Sequence, residues 1–237
     1  MNNNKIIIVS EKFNNFANHP HVLTIKKFMN SKLNNHNLII GQGLTDQHHL
    51  LLNDSLSEKS NIHNKLDSSV VRNRFTHKHK TKNILVGTTK KINDHLYHLP
   101  MIIDENCELM DDHQTGKHIQ GMLLVEAFRQ TFIAVTEEFF PLKIKDSHKA
   151  YYVINKMDIH FHRFAFPLPI NIEYEIDNRE FSNSGTAKFS ANVRAIQNNK
   201  LCAEMIVNFS VYPNEFISTK ENELSSQIID MLTCSIE

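Results

Sequence analysis

Two histidines, two aspartates and two glycines fall within eleven residues near the middle of the chain, where positions 111–121 read DDHQTGKHIQG. A carboxylate, Glu126, follows shortly afterwards. A loop histidine that faces a carboxylate, beside the unpaired N–H groups of a helix start, is suited to acid–base catalysis at an acyl group. The candidate acid and base residues are therefore His113, His118 and Glu126.

The two glycines of this segment, Gly116 and Gly121, are candidates for contact with a substrate. Gly121 stands where a helix is predicted to begin, so a ligand could approach its backbone closely. The first-turn N–H groups of that helix could bind an anion or a developing oxyanion. Met122 follows directly and belongs to the same candidate binding surface.

Three polar residues interrupt the predicted helix, and their i, i+3 and i+4 spacing places Glu126, Arg129 and Gln130 on one stripe. In one interpretation Glu126 and Arg129 form a surface ion pair that contributes about 0.2–0.5 kcal/mol. In the other, Glu126 lies near a substrate channel and apolar neighbours set its pKa. The histidine-containing segment in front of the helix favours the second interpretation. In it Arg129 and Gln130 are expected to bind substrate, and Arg129 could bind a phosphate group.

The elements that must position these residues are one apolar helix and several strands. The helix is predicted over Gly121–Phe140 and is apolar at nearly every azimuth, so protein must surround it on most sides. Strands are predicted from alternation and turn residues at Asn83–Thr88, Leu96–Ile103, Ala150–Phe164, Pro169–Ile176, Thr186–Gln197 and Leu201–Tyr212. The last two form an antiparallel hairpin. Together they predict an α+β fold in which an antiparallel sheet curls around the helix.

The first 75 residues have a different character and are predicted to be a small αβ extension. Short strands are expected at Lys5–Ser10 and Asn37–Ile40, a helix at His21–Leu33, and a linker or loose helix over Thr45–His79. Gly41-Gln42-Gly43 follows the second strand, but the third glycine of a dinucleotide-binding loop is missing. Residues 214–237 form a polar tail with a short amphipathic piece around Ile228.

The run HIQGMLLVEAFRQ at positions 118–130 resembles the H-x-x-G-M-x-L-x-E-A-x-R-Q signature of the A-factor biosynthesis (AfsA-like) hotdog family. The resemblance covers about Thr76–Tyr212 and includes His77-Lys78 and the run IHFHRFAFP at 159–167. It implies a hotdog domain at 76–213, in which a sheet wraps one long helix. Family members carry two such repeats, whereas this chain has one.

The same stretch is similar to the active-site region of the β-hydroxyacyl-carrier-protein dehydratases of the hotdog superfamily. There the histidine of an H-F-P-G motif precedes the helix glutamate, and here His113 and Gly116 echo that motif with an interval to Glu126 that is one residue shorter. The A-factor signature points instead to His118. Either histidine can therefore be the partner of Glu126, and Lys117 stands where the A-factor family usually has an aspartate.

The resemblance implies an acyl-thioester enzyme acting on a β-ketoacyl or fatty acyl chain carried by an acyl carrier protein or CoA. Acyl transfer to a small acceptor in signal-molecule or secondary-metabolite biosynthesis is the first expectation, and dehydration or thioester hydrolysis is the second. A non-catalytic acyl- or signal-binding module is the third. The superfamily implies a homodimer with sites at the interface, and no cofactor beyond the phosphopantetheine arm of the substrate.

Composition narrows the remaining classes of function. The 237 residues carry 26 Lys and Arg against 26 Asp and Glu, which argues against nucleic-acid or membrane binding. Three cysteines far apart fit a reducing, cytoplasmic location. His160 and His162 share a strand face, yet no Cys or further His stands at a structural-zinc spacing. We therefore expect no metal site and a solvated or interface role for this pair.

Overall fold

The N-terminal part of the chain forms a small parallel sheet. The computed structural model describes residues 5–31, 37–57, 71–111, 116–141, 150–183 and 185–233. Strands β1 (Lys5–Val9), β2 (Val22–Thr24) and β3 (Asn37–Ile40) lie in the order β2-β1-β3, and helices α1 (Ile25–Met29) and α2 (Asp46–Ser57) follow β2 and β3. The predicted αβ extension and its two strands are present.

The predicted helix over His21–Leu33 is wrong for its first turn. Val22–Thr24 pairs with β1 in parallel, and the described helix begins only at Ile25 and ends at Met29. Thr24 has an extended backbone, and its hydroxyl accepts a hydrogen bond from the Lys27 N–H at 3.4 Å. An N-terminal cap of this kind stops the helix from extending backwards into the strand.

Strand β1 is buried on both faces and joins two hydrophobic cores. Ile6 and Ile8 pack with α1 and α2, whereas Val9 packs with the core of the larger sheet. Such a strand reads as a continuous apolar run, because neither face meets water. The extension is therefore packed against the rest of the protein. The boundary expected at residue 75 stays a prediction.

Gln42 fastens the small sheet to the larger one. Its side chain is buried, donates to the carbonyls of Met101 (3.0 Å) and Leu168 (3.2 Å), and accepts from the Ile103 N–H (2.8 Å). Its own N–H donates to the Pro167 carbonyl at 3.1 Å. The glycines on either side, 41 and 43, admit this close backbone approach, so their role is to dock two parts of the chain.

The larger sheet is antiparallel and has the order β4-β5-β7-β8-β9-β6. Its strands are β4 (Lys90–Lys91), β5 (Leu96–Pro100), β6 (Ala150–Phe161), β7 (Asn171–Phe181), β8 (Ala187–Gln197) and β9 (Lys200–Pro213). The predicted strand at Asn83–Thr88 is wrong. A 3₁₀ turn covers Thr81–Asn83, and isolated bridges pair Val86 with Met101 and Gly87 with Arg72.

Helix α3 (Gly121–Phe139) lies against the inner face of this sheet and packs on β6, β7, β8 and β9. Eleven of its residues are buried, in agreement with the apolar pattern around its whole circumference. Phe132 stacks on Phe209 of β9 with ring centroids 4.5 Å apart. A sheet curled around one long helix is the hotdog fold, so the predicted α+β fold class is confirmed.

Two features lie at the side of the sheet where β6 is the last strand. Among the described residues, β6 has a strand partner only on its β9 side. The tail forms helix α4 (Asn214–Thr233), which is much longer than the short amphipathic piece expected. Phe216 stacks on Tyr212, and Glu221 accepts a hydrogen bond from the Tyr151 hydroxyl at 2.9 Å. Among the described residues, no helix is both long and apolar enough to cross a membrane.

Candidate functional site

The start of helix α3 is held against the segment that follows β6. The Ile119 N–H donates to the Ala165 carbonyl at 2.7 Å, and the Ile119 side chain is buried. Gln120 occupies the cap position with an extended backbone, and no side chain caps the first turn. The N–H groups at this helix start are therefore placed beside residues 161–165, as the glycine at position 121 suggested.

A cavity of about 430 Å³ lies at this junction. It is mostly apolar, and its lining comprises His118, Ile119, Gly121, Leu124, Phe161, His162, Arg163, Phe164 and Ala165. The His118 ring packs on Phe164, with 4.5 Å between ring centroids. Two of the sequence candidates, His118 and Gly121, thus line one apolar pocket that is large enough for part of an acyl chain.

Gly121 is in close contact with an aromatic ring. A Cβ atom placed there would lie 3.0 Å from Cε1 of Phe161, closer than ordinary van der Waals contact. Phe161 itself is 55% exposed, so its ring covers the helix start without being locked in the core. The close approach that the glycine was expected to offer to a ligand is used by Phe161 in this structure.

Glu126 lies in a dense network of hydrogen bonds. Arg129 binds its two carboxylate oxygens from Nε (2.8 Å) and Nη2 (2.9 Å), and Lys78 Nζ lies 2.7 Å from Oε1. Gln130 donates to the same oxygen at 3.0 Å. The Glu126 side chain is 16% exposed, so most of the network is withdrawn from solvent. The i, i+3 pair with Arg129 is present, but within a larger cluster than a surface ion pair.

This network sets the protonation state of Glu126. Burial by itself would raise the pKa of the carboxyl, but the hydrogen bonds from Arg129, Lys78 and Gln130 outweigh it and lower the pKa to about 2. Glu126 is therefore ionised at neutral pH and is a weak proton acceptor there. Its geometry suits holding charged partners in place better than removing a proton.

Glu126 and the pocket lie on different faces of α3. A helix turns by about 100° per residue, so Glu126 is about 140° around the axis from Gly121. In agreement, Glu126 is not among the residues that line the cavity. The pairing of Glu126 with His118 that the spacing suggested is not formed in this pocket of a single chain, and the catalytic assignment stays a prediction.

Gln130 is fully buried and ties the helix to the segment before β4. Its amide donates to the Asn83 carbonyl at 2.8 Å, and its carbonyl oxygen accepts from the Leu85 N–H at 2.7 Å. Both amide ends are thus engaged with backbone, and one also reaches Glu126. Contacts of this kind position the helix, whereas a direct role in substrate binding was expected from the sequence.

The other predicted site residues are dispersed. Gly116 is exposed, and a Cβ atom there would have open space around it. Met122 is 61% exposed beside the helix start. His113 lies outside the described residues, so the choice between His113 and His118 stays open. Within the described ranges, no group of three or more His, Cys, Asp or Glu side chains is arranged to hold a metal ion.

Two residues at the site were not among the catalytic or substrate-binding residues predicted from the sequence. Lys78 completes the Glu126 network, and the sequence pointed to it only through the His77-Lys78 pair of the family resemblance. His162 lines the cavity and bonds Glu204 at 2.8 Å, although the sequence suggested a solvated or interface role for it. The sequence feature that pointed to His162 was its i, i+2 spacing with His160. This spacing does not indicate which of the two histidines lies at a pocket.

Comparison with known proteins gives one family match and several similar structures. The model of AfsA, the A-factor biosynthesis hotdog domain, matches residues 61–213, more than half of the chain. A putative thioesterase from Shewanella oneidensis is 11% identical, with 56% of this chain and 87% of that chain covered and a TM-score of 0.43. A mutant thioesterase from Pseudomonas aeruginosa is 10% identical. The match covers 61% of this chain and 94% of that chain, with a TM-score of 0.40. No curated protein matches.

Proposed function

This chain belongs to the A-factor biosynthesis hotdog family, and on that premise we propose that it acts on an acyl or β-ketoacyl thioester of an acyl carrier protein or CoA. The reaction proposed is acyl transfer to a small hydroxylated acceptor in signal-molecule or secondary-metabolite biosynthesis. The observation that carries the proposal is the apolar pocket of about 430 Å³ at the uncapped start of α3, with His118 in its wall.

The residues that line the pocket have different roles in the proposed reaction. The apolar side chains of Leu124, Phe161 and Phe164 hold the acyl chain by burial. The first-turn N–H groups at Gly121 bind the thioester carbonyl oxygen and stabilise the negative charge that develops on it. Arg163, in the same wall, binds an anionic group such as a phosphate of the pantetheine arm.

His118 supplies the proton transfers of this proposal. The acceptor hydroxyl attacks the carbonyl carbon, a C–O bond forms, and the hydroxyl proton passes to the imidazole. The tetrahedral intermediate then expels the thiolate, the C–S bond breaks, and the same proton is returned to the sulfur. Glu126, ionised and held by Lys78 and Arg129, positions the helix and the charges around it.

A second copy of the chain is part of the proposal. Within the described part of the chain β6 is the last strand of its sheet, and edges of this kind are commonly covered by pairing. Exposed apolar residues lie on this strand and after its end: Tyr151 and Ile154 on β6, and Phe164 in the wall of the pocket. We propose a homodimer that pairs through this edge.

The test is a thioester panel presented to the purified full-length chain. Octanoyl, β-ketooctanoyl and β-hydroxyoctanoyl groups are offered on CoA and on a carrier protein, with and without dihydroxyacetone phosphate. We expect thiol release that depends on the acceptor, an acylated acceptor by mass spectrometry, and a loss of about 100-fold or more in His118→Ala. Thiol release without an acceptor would reassign the chain as a thioesterase, and a dehydrated product would reassign it as a dehydratase.

A non-catalytic acyl-binding module is the second candidate, and the Glu126 network favours it. A carboxylate with its pKa lowered to about 2 and placed outside the pocket does not act as a base on a ligand there. This candidate predicts no turnover of any thioester but saturable binding of a non-hydrolysable acyl-CoA. Calorimetry is the suitable measurement, because the chain has no tryptophan to report binding by fluorescence.

A further inference from the structure

His162 directly follows β6 and is fixed in the wall of the α3 pocket. Its N–H donates to the Cys202 carbonyl at 2.8 Å, which continues the pairing with β9 by one residue. Its Nε2 lies 2.8 Å from Oε1 of Glu204, also on β9. The two side chains are 40% and 37% exposed. The imidazole therefore has both a fixed backbone and a carboxylate partner, and it shares the cavity with His118 and Gly121.

The carboxylate selects the form of the ring. An ionised carboxylate only accepts hydrogen bonds, so the short contact requires the proton of His162 on Nε2. In the neutral imidazole the other nitrogen, Nδ1, then carries the lone pair and is a proton acceptor. A carboxylate behind an imidazole also stabilises the imidazolium that forms when the ring takes up a proton. This is the arrangement of a general base with its orienting group.

The charged and titratable side chains near His162 come from several parts of the chain. Glu204 lies on the neighbouring strand, Arg163 follows it in the chain, and His118 stands in the same pocket wall. The ring of His160 lies 6.5 Å from that of His162, centroid to centroid. Arg163 and Glu204 therefore bring one positive and one negative side chain to the surroundings of the ring.

His160 is a natural control for His162. It lies two residues earlier on β6, its Nε2 is 3.4 Å from Asp158 Oδ1, and its side chain is 58% exposed. It also has an acidic partner, but it does not line the cavity. The two histidines therefore differ in the feature that matters, which is access to the pocket.

We propose that His162 is a second catalytic residue of this pocket and that Glu204 is its positioning residue. The inference rests on the proposed acyl transfer. In this division of the two proton transfers His162 Nδ1, in place of His118, takes the proton of the acceptor hydroxyl as the C–O bond forms. His118 keeps the second transfer and, in its protonated form, gives a proton to the sulfur as the C–S bond breaks. Water then carries the proton from His162 back to His118, so each turnover ends with both rings in their starting state.

The experiment compares His162→Ala, Glu204→Gln and the control His160→Ala with β-ketooctanoyl-CoA and dihydroxyacetone phosphate. We expect kcat to fall about 100-fold or more in His162→Ala, in the range typical of a lost general base, and to stay unchanged in His160→Ala. In Glu204→Gln the ring loses the carboxylate that accepts its Nε2 proton, so we expect kcat to fall while KM for β-ketooctanoyl-CoA stays near the wild-type value. A role of Glu204 in folding alone would leave kcat per folded molecule unchanged.

The outcomes separate this inference from the proposed function. If the wild type is active and His162→Ala matches His160→Ala, the catalytic role of His162 is overturned and the acyl transfer stands. If the wild type turns over no thioester, the proposed function fails, and the 2-oxodecyl thioether of CoA is used as a ligand instead. A shift of the His162 ring resonances on its addition, with those of His160 unmoved, supports the pocket assignment, and no shift overturns it. Circular dichroism verifies that each variant is folded.

Discussion

At the scale of single residues, the ionised carboxylate of Glu126 is stabilised by side chains from two parts of the chain. Arg129 and Gln130 come from the same helix, whereas Lys78 arrives from the segment in front of β4. Removing the carboxylate leaves two cations close together, partly withdrawn from solvent and without their shared counter-charge. Breaking such a cluster by removing one member costs more than the cluster contributes as a whole.

The pH dependence of stability follows from this network. The pKa of Glu126 is lowered from 4.5 to about 2 on folding, so its contribution is complete above about pH 4.5 and is lost as the pH falls towards 2. We therefore expect Glu126→Gln to be less stable than the wild type at pH 7 and the difference to shrink between pH 4.5 and 2. Urea unfolding at a series of pH values measures it.

Glu138→Gln, a change of the same kind near the end of the same helix, is the control for this series. It removes a carboxylate outside the Glu126 network. If the difference in unfolding free energy between the wild type and Glu126→Gln stays constant across the acidic range, the assignment of the low pKa to Glu126 is contradicted.

A second prediction at this scale concerns the glycine at the start of α3. In Gly121→Ala the new methyl group meets the ring of Phe161 at about 3.0 Å, so we expect a loss of about 1 kcal/mol in unfolding free energy. In a Phe161→Ala background the contact is gone, and alanine should stabilise the helix by about 0.5–1 kcal/mol relative to glycine. Urea denaturation measures the unfolding free energies of the double-mutant cycle. Additive effects of the two substitutions on this free energy would contradict the contact.

At the scale of elements, the side chain of Gln42 contributes to the docking of the small parallel sheet. The Gln42 side chain makes three hydrogen bonds to backbone groups, at Met101 and Ile103 after the end of β5 and at Leu168 before β7. The carboxyl edge of a parallel sheet is where open sheets of this kind often bind ligands. Here that edge is filled by the larger sheet domain, which explains the two glycines without any nucleotide.

Replacing Gln42 by leucine tests this docking. The buried backbone groups at Met101 and Ile103 would each lose the Gln42 side chain as a partner, and a group left unsatisfied in this way costs about 1–3 kcal/mol. We expect a lower urea midpoint and faster proteolytic cleavage within residues 5–57. Gln47→Leu, at an exposed position of α2, is the control and should behave as the wild type does. Equal stability of the two variants would contradict the docking role.

At the scale of the whole molecule, exposed apolar surface gathers where the sheet is open. Ile154 of β6 is 40% exposed, Phe161 at the end of the strand is 55% exposed, and Phe164 beyond it is 67% exposed. Helix α4 lies next to the other end of the same strand through the Tyr151–Glu221 hydrogen bond. An edge strand of this length with apolar neighbours is a ready site for pairing with another strand.

A charged residue at the open edge should prevent the proposed dimer. We expect the wild type to sediment as a dimer in analytical ultracentrifugation and Ile154→Lys to sediment as a monomer. Ile206→Lys is the matched control, because Ile206 is 41% exposed but lies on β9, inside the sheet. A wild-type monomer, or an Ile154→Lys variant that remains dimeric, would contradict pairing through β6.

What the sequence determined by itself is the part of the protein that depends on local pattern. Helix α3, the β8–β9 hairpin and the closeness of His118 to Gly121 follow from periodicity and short spacing, and all three are present. Local pattern was not enough at residues 21–33, where a cap and a parallel pairing start the helix later. It was also not enough at 83–88, where isolated bridges replace a strand.

Only the tertiary structure decided which distant side chains share a site. Lys78 meets Glu126, and His162 rather than His160 enters the pocket, because strand register and the rotation of α3 fix these contacts. A shift of one residue in register would turn each strand side chain to the opposite face. Such contacts join residues far apart in the chain, so their geometry is set by the packing of whole elements and is not written in any single stretch of sequence.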